Sequence, residues 1–511
     1  MPGSGSSIAD RLAAHLRAGT LLDLAPDRAV GTLLDETEMR AWDLDHDVNA
    51  DLLRDLLRGR GICGDPDPRG IRLRGARICG RLDLDHVSTT ITLILEDCLL
   101  DHGLTAEAAH LPALVLRRCR LAHPIESALS GEGLRVDHLI SLAGSALAAD
   151  TTAGTIHLLG VRIGNQFGCK GALVHNPAGP ALAADDLQTE GTVFLDEGFT
   201  ANGTGESGAV RLVSARIGGQ LICTGATLRN PTGAALAADR LQTEGDAFLD
   251  NGFTAEGGGL ATIRLLNARI GRRLCCRLST VTSRSDPQHR WSLDGLTYTE
   301  VPLLDPDGRD WEAWLGLLRN ATPYYTSQPY QQLAAVYRGL GHDSDVRASL
   351  IAQRRDQLSR GALTRPADRW WARLTGVLLG YGYQPWRVLL YLASVLIVSV
   401  VLALVLGGHG ALARTVESST APSPSGAGAP MGSPPTRTVE VKPCTPIQMI
   451  GKGLDLGTPF LPSSRSGVGS CVITASYSGD ALTISRWILQ LAAWALAALF
   501  IAGFTGIVRK T

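Results

Sequence analysis

The stretch GPALAADDLQTEGTVFLDEGF, residues 179–199, recurs as GAALAADRLQTEGDAFLDNGF at residues 233–253. Sixteen of the 21 positions are identical, at an offset of 54 residues. A second phrase, VRLVSARI at residues 210–217, recurs as IRLLNARI at residues 263–270, now at an offset of 53. A period of this length indicates a repeat architecture, in which each unit buries its apolar side chains against its neighbours.

Weaker copies of the second phrase lie upstream, as IRLRGARI at residues 71–78 and IHLLGVRI at residues 156–163. Within each unit the apolar runs are short and are separated by Gly, Asn, Asp and Pro, a pattern typical of strands broken by turns. Repeats that run the same way bury a continuous aliphatic column when they stack as coils. We therefore predict a right-handed parallel β-helix with about two coils per 54-residue unit, and with glycine at corners of positive φ.

Two residue types recur within this pattern. Cys169, Cys223 and Cys276 occupy equivalent positions, and Cys98 and Cys119 are one coil apart. A metal or redox ladder is one interpretation, but we favour small buried side chains, because free cysteine packs as a small hydrophobe.

Aspartates end two recurring phrases, Ala-Leu-Ala-Ala-Asp and Phe-Leu-Asp. The residues concerned are Asp150, Asp185, Asp239, Asp196 and Asp250. We interpret them as turn caps that bond to their own following backbone. An exposed acidic ladder that binds cations or sugars is the alternative.

Helical patterns flank the repeats. Tyr330, Leu333, Tyr337 and Leu340 are spaced as one helix face, Gly341 breaks that helix, and Asp343 or Ser344 is a candidate cap for the next. This hairpin is similar to a single tetratricopeptide unit and is predicted to cap the β-helix. At the other end, residues 48–58 are predicted to form a helix that covers the first coil and blocks edge-to-edge pairing.

Two long apolar runs near the C-terminus predict membrane-spanning helices. Residues 388–406 contain no charged residue, and residues 487–508 contain only Gln490 as a strongly polar residue. At 1.5 Å per residue these runs are about 28 and 33 Å long, close to the thickness of a hydrocarbon core.

The flanking charges predict the orientation of this hairpin. Arg365, Arg369, Arg373 and Arg387 precede the first span, and Arg509 and Lys510 follow the second. Basic flanks favour the cytoplasmic side, so the large N-terminal part and the C-terminus are predicted inside. The first ten residues lack the basic and apolar regions of a secretory signal peptide, in agreement with this orientation. The stretch 368–379 is predicted to lie as an amphipathic helix on the inner leaflet.

The intervening loop is then extracytoplasmic. Residues 420–446 are rich in Pro, Ser, Gly and Thr, a composition that predicts a flexible tether. Cys444 and Cys471 are the only cysteines in this loop. A disulfide between them is expected in an oxidising compartment and would contribute about 3.5 kcal/mol by closing the loop. Two unpaired thiols are the alternative.

The order of these parts resembles an actinobacterial family of pentapeptide-like β-helix membrane proteins that are often labelled "membrane-associated oxidoreductase". The resemblance rests on residues 71–84 (IRLRGARICGRLDL), 217–221 (IGGQL), 328–338 (QPYQQLAAVYR) and 380–385 (GYGYQP), and covers about residues 48–387. It implies a β-helix fold and, by its label, redox chemistry, but it brings no catalytic residue. No strict five-residue period holds, so the number of sides of the coil stays open.

Motifs for a dinucleotide or a catalytic site do not accompany that label. The one GxGxxG match, Gly203, Gly205 and Gly208, precedes a strand phrase rather than a helix, so we interpret it as a turn between coils. The chain has no GxSxG, HExxH, P-loop or CxxC motif. No catalytic residue, cofactor or metal site is predicted. With 48 basic and 49 acidic residues, the chain has no excess of positive charge that would indicate nucleic-acid binding.

The function predicted from the sequence is a cytoplasmic β-helix scaffold anchored in the plasma membrane, which binds a protein partner or itself. The alternative is an oxidoreductase with an unrecognised cofactor site. The predicted parts are an N-terminal helical cap (1–61), the β-helix (62–300), a helical hairpin (301–365), an interfacial segment (366–386), a first transmembrane helix (387–407), an extracytoplasmic loop (408–485) and a second transmembrane helix (486–508).

Overall fold

The computed structural model describes residues 7–27, 31, 34–61, 64–277, 279–304, 310–361, 365–382, 384, 386–418, 438–458 and 471–508. The chain divides into two compact units, residues 1–360 and 361–511. The first unit is a parallel β-solenoid of about nine turns, followed by helices. The second contains two helices that are long and apolar enough to cross a membrane.

Four parallel sheets form the sides of the solenoid, here named A to D. The strands of sheet A are Leu22–Asp23, Ile71–Arg74, Leu93–Glu96, Leu114–Arg117, Leu139–Ser141, Gln166–Gly168, Val193–Phe194, Leu221–Ile222, Ala247–Leu249 and Leu274–Cys276. The strands of sheet B are Asp47–Asn49, Arg77–Cys79, Leu99–Leu100, Arg120–His123, Ala146–Ala149, Leu173–His175, Thr200–Asn202, Thr227–Asn230, Thr254–Gly257 and Val281–Ser283.

Sheets C and D complete each coil. The strands of sheet C are Leu82–Asp83, Leu104–Thr105, Leu129–Ser130, Ile156–His157, Leu182–Ala183, Val210–Arg211, Leu236–Ala237, Ile263–Arg264 and Trp291–Ser292. The strands of sheet D are His110–Leu111, Arg135–Val136, Arg162–Ile163, Gln188–Thr189, Arg216–Ile217, Gln242–Thr243 and Arg269–Ile270. The coil is therefore four-sided, although the sequence shows no strict five-residue period.

The predicted two coils per repeat unit are confirmed. In sheet A, Val193 pairs with Leu221, and Leu221 pairs with Ala247, so residues 54 apart are separated by two coils. The first coils are shorter: Ile71 pairs with Leu93, only 22 residues on. Aliphatic side chains stack inside as predicted, for example Leu182, Val210, Leu236 and Ile263 along sheet C, all fully buried.

The corners have positive φ as predicted, but glycine does not fill them all. After each strand of sheet C one residue lies in the left-handed region, with a φ between +51° and +75°. These residues are His86, Ala108, Gly133, Gly160, Asp186, Ser214, Arg240, Asn267 and Gly295. Six of the nine carry a side chain, so the solenoid as a whole imposes a backbone conformation that these residues rarely adopt alone.

The N-terminal cap is more than the predicted helix. Helix α1 (Ile8–Ala18), α2 (Glu36–Arg40) and α3 (Ala50–Leu57) are joined by two strands that pair with the first full coil. Val48 lies in one of these strands, so the prediction of a helix from residue 48 is wrong at its start. A helix alone cannot satisfy the exposed backbone groups of the first coil, and these two strands pair with them in sheets A and B.

The C-terminal cap consists of α4 (Asp310–Asn320), α5 (Gln328–Gly339) and α6 (Asp343–Ser359). The predicted hairpin is α5 and α6, and α4 is an additional helix. Tyr330, Leu333 and Tyr337 are buried as predicted, but Leu340 is exposed. His342 precedes α6 without a side-chain cap, so neither Asp343 nor Ser344 is the N-cap.

The phrase at residues 328–338 closes the open end of the solenoid. The Gln328 side chain accepts from the Gly295 backbone N–H at 3.0 Å and donates to Leu296 O at 2.9 Å. Gln332 Nε2 donates to Tyr298 O at 2.7 Å. These glutamines bind backbone groups of the last coil that have no further strand to pair with.

The second unit contains α7 (Pro366–Leu379), α8 (Trp386–Leu406), α9 (Pro446–Gly457) and α10 (Tyr477–Val508). A short antiparallel sheet joins Leu412–Ser418 to Thr438–Pro443 and to Cys471–Ile473. The tether prediction is wrong for residues 438–446, which form a strand and the start of α9. Residues 420–437 lie outside the described part of the chain, as do Arg509 and Lys510.

Candidate interaction surface

Sheet D presents one column of polar side chains to solvent, all of them exposed except the half-buried Gln188. Its members pair in register from coil to coil: His110, Arg135, Arg162, Gln188, Arg216, Gln242 and Arg269. Adjacent strands are about 4.8 Å apart, so Arg162, Arg216 and Arg269 follow each other at about 10 Å. The column lines an open groove of about 1240 Å³.

A second column runs beside the first, two residues further along each strand. It alternates between acidic residues and glycine in the order Asp137, Gly164, Glu190, Gly218, Glu244 and Gly271. A coil that carries arginine in the first column carries glycine in the second from Arg162 onwards, and a coil with glutamine carries glutamate. The face therefore repeats every two coils, with the same period as the sequence.

The arginine side chains of sheet D form no ion pair with other described residues of the solenoid. Among the described residues, the side chains of Arg135, Arg162, Arg216 and Arg269 have no hydrogen-bond or ion-pair partner, although their backbone N–H groups bond to the preceding coil. At the first step of the column, His110 Nε2 lies 2.7 Å from Asp137 Oδ1. A guanidinium offers five donors in a fixed fork, which suits carboxylates of a partner.

The arginines of sheet C differ, because each is paired. Arg211 donates to Asp185 and Arg264 donates to Asp239. The same carboxylates accept backbone N–H groups of the next coil, from Val213 and Leu266, each at 3.2 Å. Asp185 and Asp239 thus connect one coil to the next, and the prediction that they cap their own following backbone is wrong. The exposed Asp150 lies outside this pattern.

The phrase Phe-Leu-Asp places its carboxylates at buried or half-buried positions of the solenoid wall. Burial raises the pKa of Asp196 above its usual value, although Lys170 Nζ lies 3.6 Å from its Oδ2. Burial also raises the pKa of Asp250, whose Oδ1 accepts from Thr224 at 3.4 Å. These sites are corners of the solenoid wall, and within the described residues no group of three or more His, Cys, Asp or Glu is placed to hold a metal ion.

The recurrent cysteines point into the solenoid core. Cys98, Cys119, Cys169, Cys223 and Cys276 are buried, in agreement with the structural interpretation. Burial raises the pKa of the Cys119, Cys169 and Cys223 thiols well above the usual value. A thiol that resists ionisation is a poor nucleophile and a poor metal ligand, so this column gives no support to a redox site.

Two further sequence features have a place in the structure. Gly203 and Gly208 lie in the turn between a sheet B strand and a sheet C strand, as expected for a turn between coils. In the second unit, a disulfide joins Cys444 to Cys471, whose Cα atoms are 6.1 Å apart.

Sequence reasoning did not find the sheet D face. Its residues belong to the phrases LQTEG and ARIGG, whose short apolar and turn residues indicate strands but not the side of the coil that each residue faces. The alternation of Gln and Glu with Arg and Gly on successive coils was the available signal, but it becomes visible only when the coil length is known.

No family model, curated protein or solved structure matches the chain.

Proposed function

We propose that this protein is a membrane-anchored scaffold that docks a helical protein partner on sheet D. The observation that carries the proposal is the exposed column of arginine side chains without partners among the described residues, in register with glutamines on the alternate coils and flanked by the glutamates of the second column. By contrast, Arg211 and Arg264 of sheet C form ion pairs within the wall of the solenoid. Leaving a parallel column unpaired gives no stability, so its value lies in binding.

The spacing selects the form of the partner. Arg162, Arg216 and Arg269 are about 10 Å apart, and one heptad of an α-helix advances about 10.5 Å. A helix that lies along the solenoid axis with carboxylates seven residues apart would meet all three arginines. Basic residues between those carboxylates would face Glu190 and Glu244. Alternating charge of this kind fixes the register of a complex and excludes partners with the opposite pattern.

The anchor is the pair of apolar helices, α8 and α10, which suggests association with a lipid bilayer. In our proposal the solenoid lies on the cytoplasmic side of the plasma membrane, as the basic residues before α8 predict. The disulfide between Cys444 and Cys471 supports an oxidising compartment for the loop between α8 and α10. Membership of the actinobacterial family stays a prediction.

The alternative function, an oxidoreductase, is not favoured by a specific observation. The recurrent thiols are buried and resist ionisation, and the recurrent aspartates tie coils together or lie at corners of the wall. We therefore carry only the scaffold proposal forward.

Site-specific photo-crosslinking in intact cells tests the docking face. A photoreactive residue at the exposed Gln242 on sheet D is compared with one at the exposed Arg229 on sheet B, in the full-length chain. We expect a discrete protein adduct at position 242 and none at 229. The adduct should disappear in the triple variant Arg162→Glu, Arg216→Glu, Arg269→Glu.

Three results would reject this proposal. Equal adducts at both positions would mean nonspecific contact, and no adduct at position 242 would leave sheet D without a partner. An adduct of twice the chain's own mass would make the partner a second copy. The triple variant must retain the wild-type melting temperature, so that loss of the adduct reports loss of contact and not of folding.

A further inference from the structure

Helix α9 lies at the same level as the second half of α8. Ser399 Oγ donates to Gly453 O at 2.8 Å, and both residues are in contact across the two helices. A Cβ at Gly453 would lie 2.6 Å from Val400 Cα, and one at Gly457 would lie 2.6 Å from Ser399 Oγ. These two glycines are four residues apart, a spacing that lets helices in membranes approach closely.

The depth of this contact follows from helix geometry. At 1.5 Å per residue, Ser399 is about 10 Å from the end of α8 at Leu406. A Cβ at Gly457 would also lie 3.0 Å from Leu396 Cδ2, about 15 Å from the same end. Because α8 is about 31 Å long, α9 extends to roughly its midpoint.

The surroundings at that level are apolar on the outside. On α8, Ile397, Val401 and Val405 are exposed, with 51% or more of each residue accessible. Because these apolar side chains are exposed, we expect them to contact lipid at the same level of α8 at which α9 packs against it. On α9, Ile447, Ile450 and Leu454 are also exposed. They follow one another at intervals of three and four residues and form one exposed strip beside the glycines that contact α8.

The residues before α9 and the strand that begins at Cys471 are held together near the same end of α8. Cys444 precedes α9 by two residues, and the disulfide holds Cys471 beside it. Cys471 in turn begins the strand that pairs with residues 412–414, which follow the end of α8 after the five residues Gly407–Ala411. The chain thus enters and leaves at the end of α8 from which α9 descends.

We infer that α9 is a re-entrant helix, embedded in the half of the bilayer nearest to Leu406. Its partner is the lipid acyl chains of that leaflet, which contact Ile447, Ile450 and Leu454, while Gly453 and Gly457 seat it on α8. This inference rests on the proposed membrane insertion of α8 and α10. Helix α9 is then a membrane element within the segment that was predicted to be an extracytoplasmic loop.

The charged residues of α9 are compatible with this position. Lys452 Nζ lies 3.6 Å from Asp455 Oδ2, and both side chains are partly buried. Pairing lowers the cost of placing each charge at this depth, and a lysine side chain can extend toward the interface. The backbone is also suitable, because a helix satisfies its own N–H and C=O groups in lipid.

Lipid photo-crosslinking tests the inference without altering the chain. The full-length protein is reconstituted into phosphatidylcholine vesicles that contain a phospholipid with a diazirine at mid-acyl chain, and adducts are mapped by mass spectrometry. We expect adducts on residues 446–457 at a frequency within about threefold of those on 397–405. Adducts on α8 and α10 without adducts on α9 would overturn the re-entrant helix alone. Absence of adducts from all three helices would overturn the membrane proposal itself.

A matched pair of glycine variants tests the seat on α8. Gly453→Leu clashes with Val400, whereas a side chain at Gly451 meets no atom within 4 Å among the described residues. We expect Gly453→Leu to reduce the α9 adducts at least fivefold, with α8 adducts unchanged, and Gly451→Leu to leave both unchanged. Equal adducts in the two variants would refute the role of the Gly453 contact.

Discussion

Sheets C and D both place an arginine next to an acidic residue of the preceding coil, but among the described residues such an ion pair forms only on sheet C. On sheet C, Arg211 is in register with Ala183, and the acidic residue lies two positions beyond, at Asp185. On sheet D, Arg216 is in register with Gln188, and the acidic residue again lies two positions beyond, at Glu190. Only the first relation forms an ion pair.

The physical reason is how the carboxylate is held. Asp185 has a short side chain, is nearly buried, and accepts a hydrogen bond from the Val213 N–H of the next coil. The carboxylate is therefore held in place independently of the arginine. Glu190 has one more methylene and is exposed to water. An exposed pair of two flexible side chains gains little free energy, about 0–1 kcal/mol. A backbone hydrogen bond to the carboxylate therefore distinguishes the ion pair that stabilises the fold from the charges that stay available to a partner.

The largest effect is expected where paired charges are most buried. Asp97 is 1% exposed and accepts from Arg74 Nε at 2.8 Å and from Arg118 Nε at 2.7 Å. Asp97→Ala removes the common partner of two arginines, although the almost fully buried Arg74 keeps its ion pair with Asp23 at 2.9 Å. Because a buried charge loses part of its compensation, we expect a destabilisation of the first coils by about 2–4 kcal/mol. Pulse proteolysis of the full-length protein in detergent measures the loss. Asp137→Ala, at an exposed pair, serves as the control and should cost less than about 1 kcal/mol.

An intermediate effect is expected on sheet C. Asp239→Ala removes the acceptor for both Arg264 and the Leu266 N–H, at an expected cost of about 1–2 kcal/mol. Asp239→Asn keeps an acceptor for the backbone but removes the charge, so it should cost about half as much. Protease resistance of the coils around residues 236–266 would report both. Glu244→Ala, at an exposed residue of sheet D, is the control. If both Asp239 variants were as resistant to protease as Glu244→Ala, the difference proposed between the two sheets would be refuted.

A smaller effect of opposite sign is expected at the corners. Because burial raises the folded-state pKa of Asp196 and Asp250, ionisation opposes folding there. Their unfavourable contribution is absent below the unfolded pKa of about 3.9 and grows as the pH rises through the folded pKa. Asp196→Asn and Asp250→Asn should therefore raise the free energy of unfolding at pH 7, by less than about 1 kcal/mol each after allowance for their partial exposure. Thermal melts at pH 7 would report this as a higher melting temperature. The gain should vanish near pH 4, and a gain that is independent of pH would contradict this explanation.

The smallest effect on stability is expected on sheet D. Arg162→Ala, Arg216→Ala and Arg269→Ala remove side chains without partners among the described residues, and each should change the unfolding free energy by less than about 0.5 kcal/mol. Arg264→Ala on sheet C is the matched control and should cost more. A loss above 1 kcal/mol at Arg216 would show that this column serves the fold, and the docking proposal would lose its basis.

Local sequence pattern is sufficient to predict the strands, the coil period and the apolar helices. Short apolar runs between turn residues specify strands, the identity at an offset of 54 specifies two coils, and the uncharged runs before Leu406 and before Val508 specify long apolar helices. Each of these follows from neighbours along the chain, within the length of one element or one repeat.

Tertiary structure decided which side chains meet. Asp185 and Arg211 are 26 residues apart, so their pairing depends on the coil register, as does the column of sheet D. The non-glycine corners and the strands at residues 22–23 and 47–49 exist because the next coil supplies hydrogen-bond partners. The seat of α9 on Ser399 depends on a contact between helices 54 residues apart. Side-chain and backbone pairing across coils and helices is a property of proximity in space, which local sequence pattern does not encode.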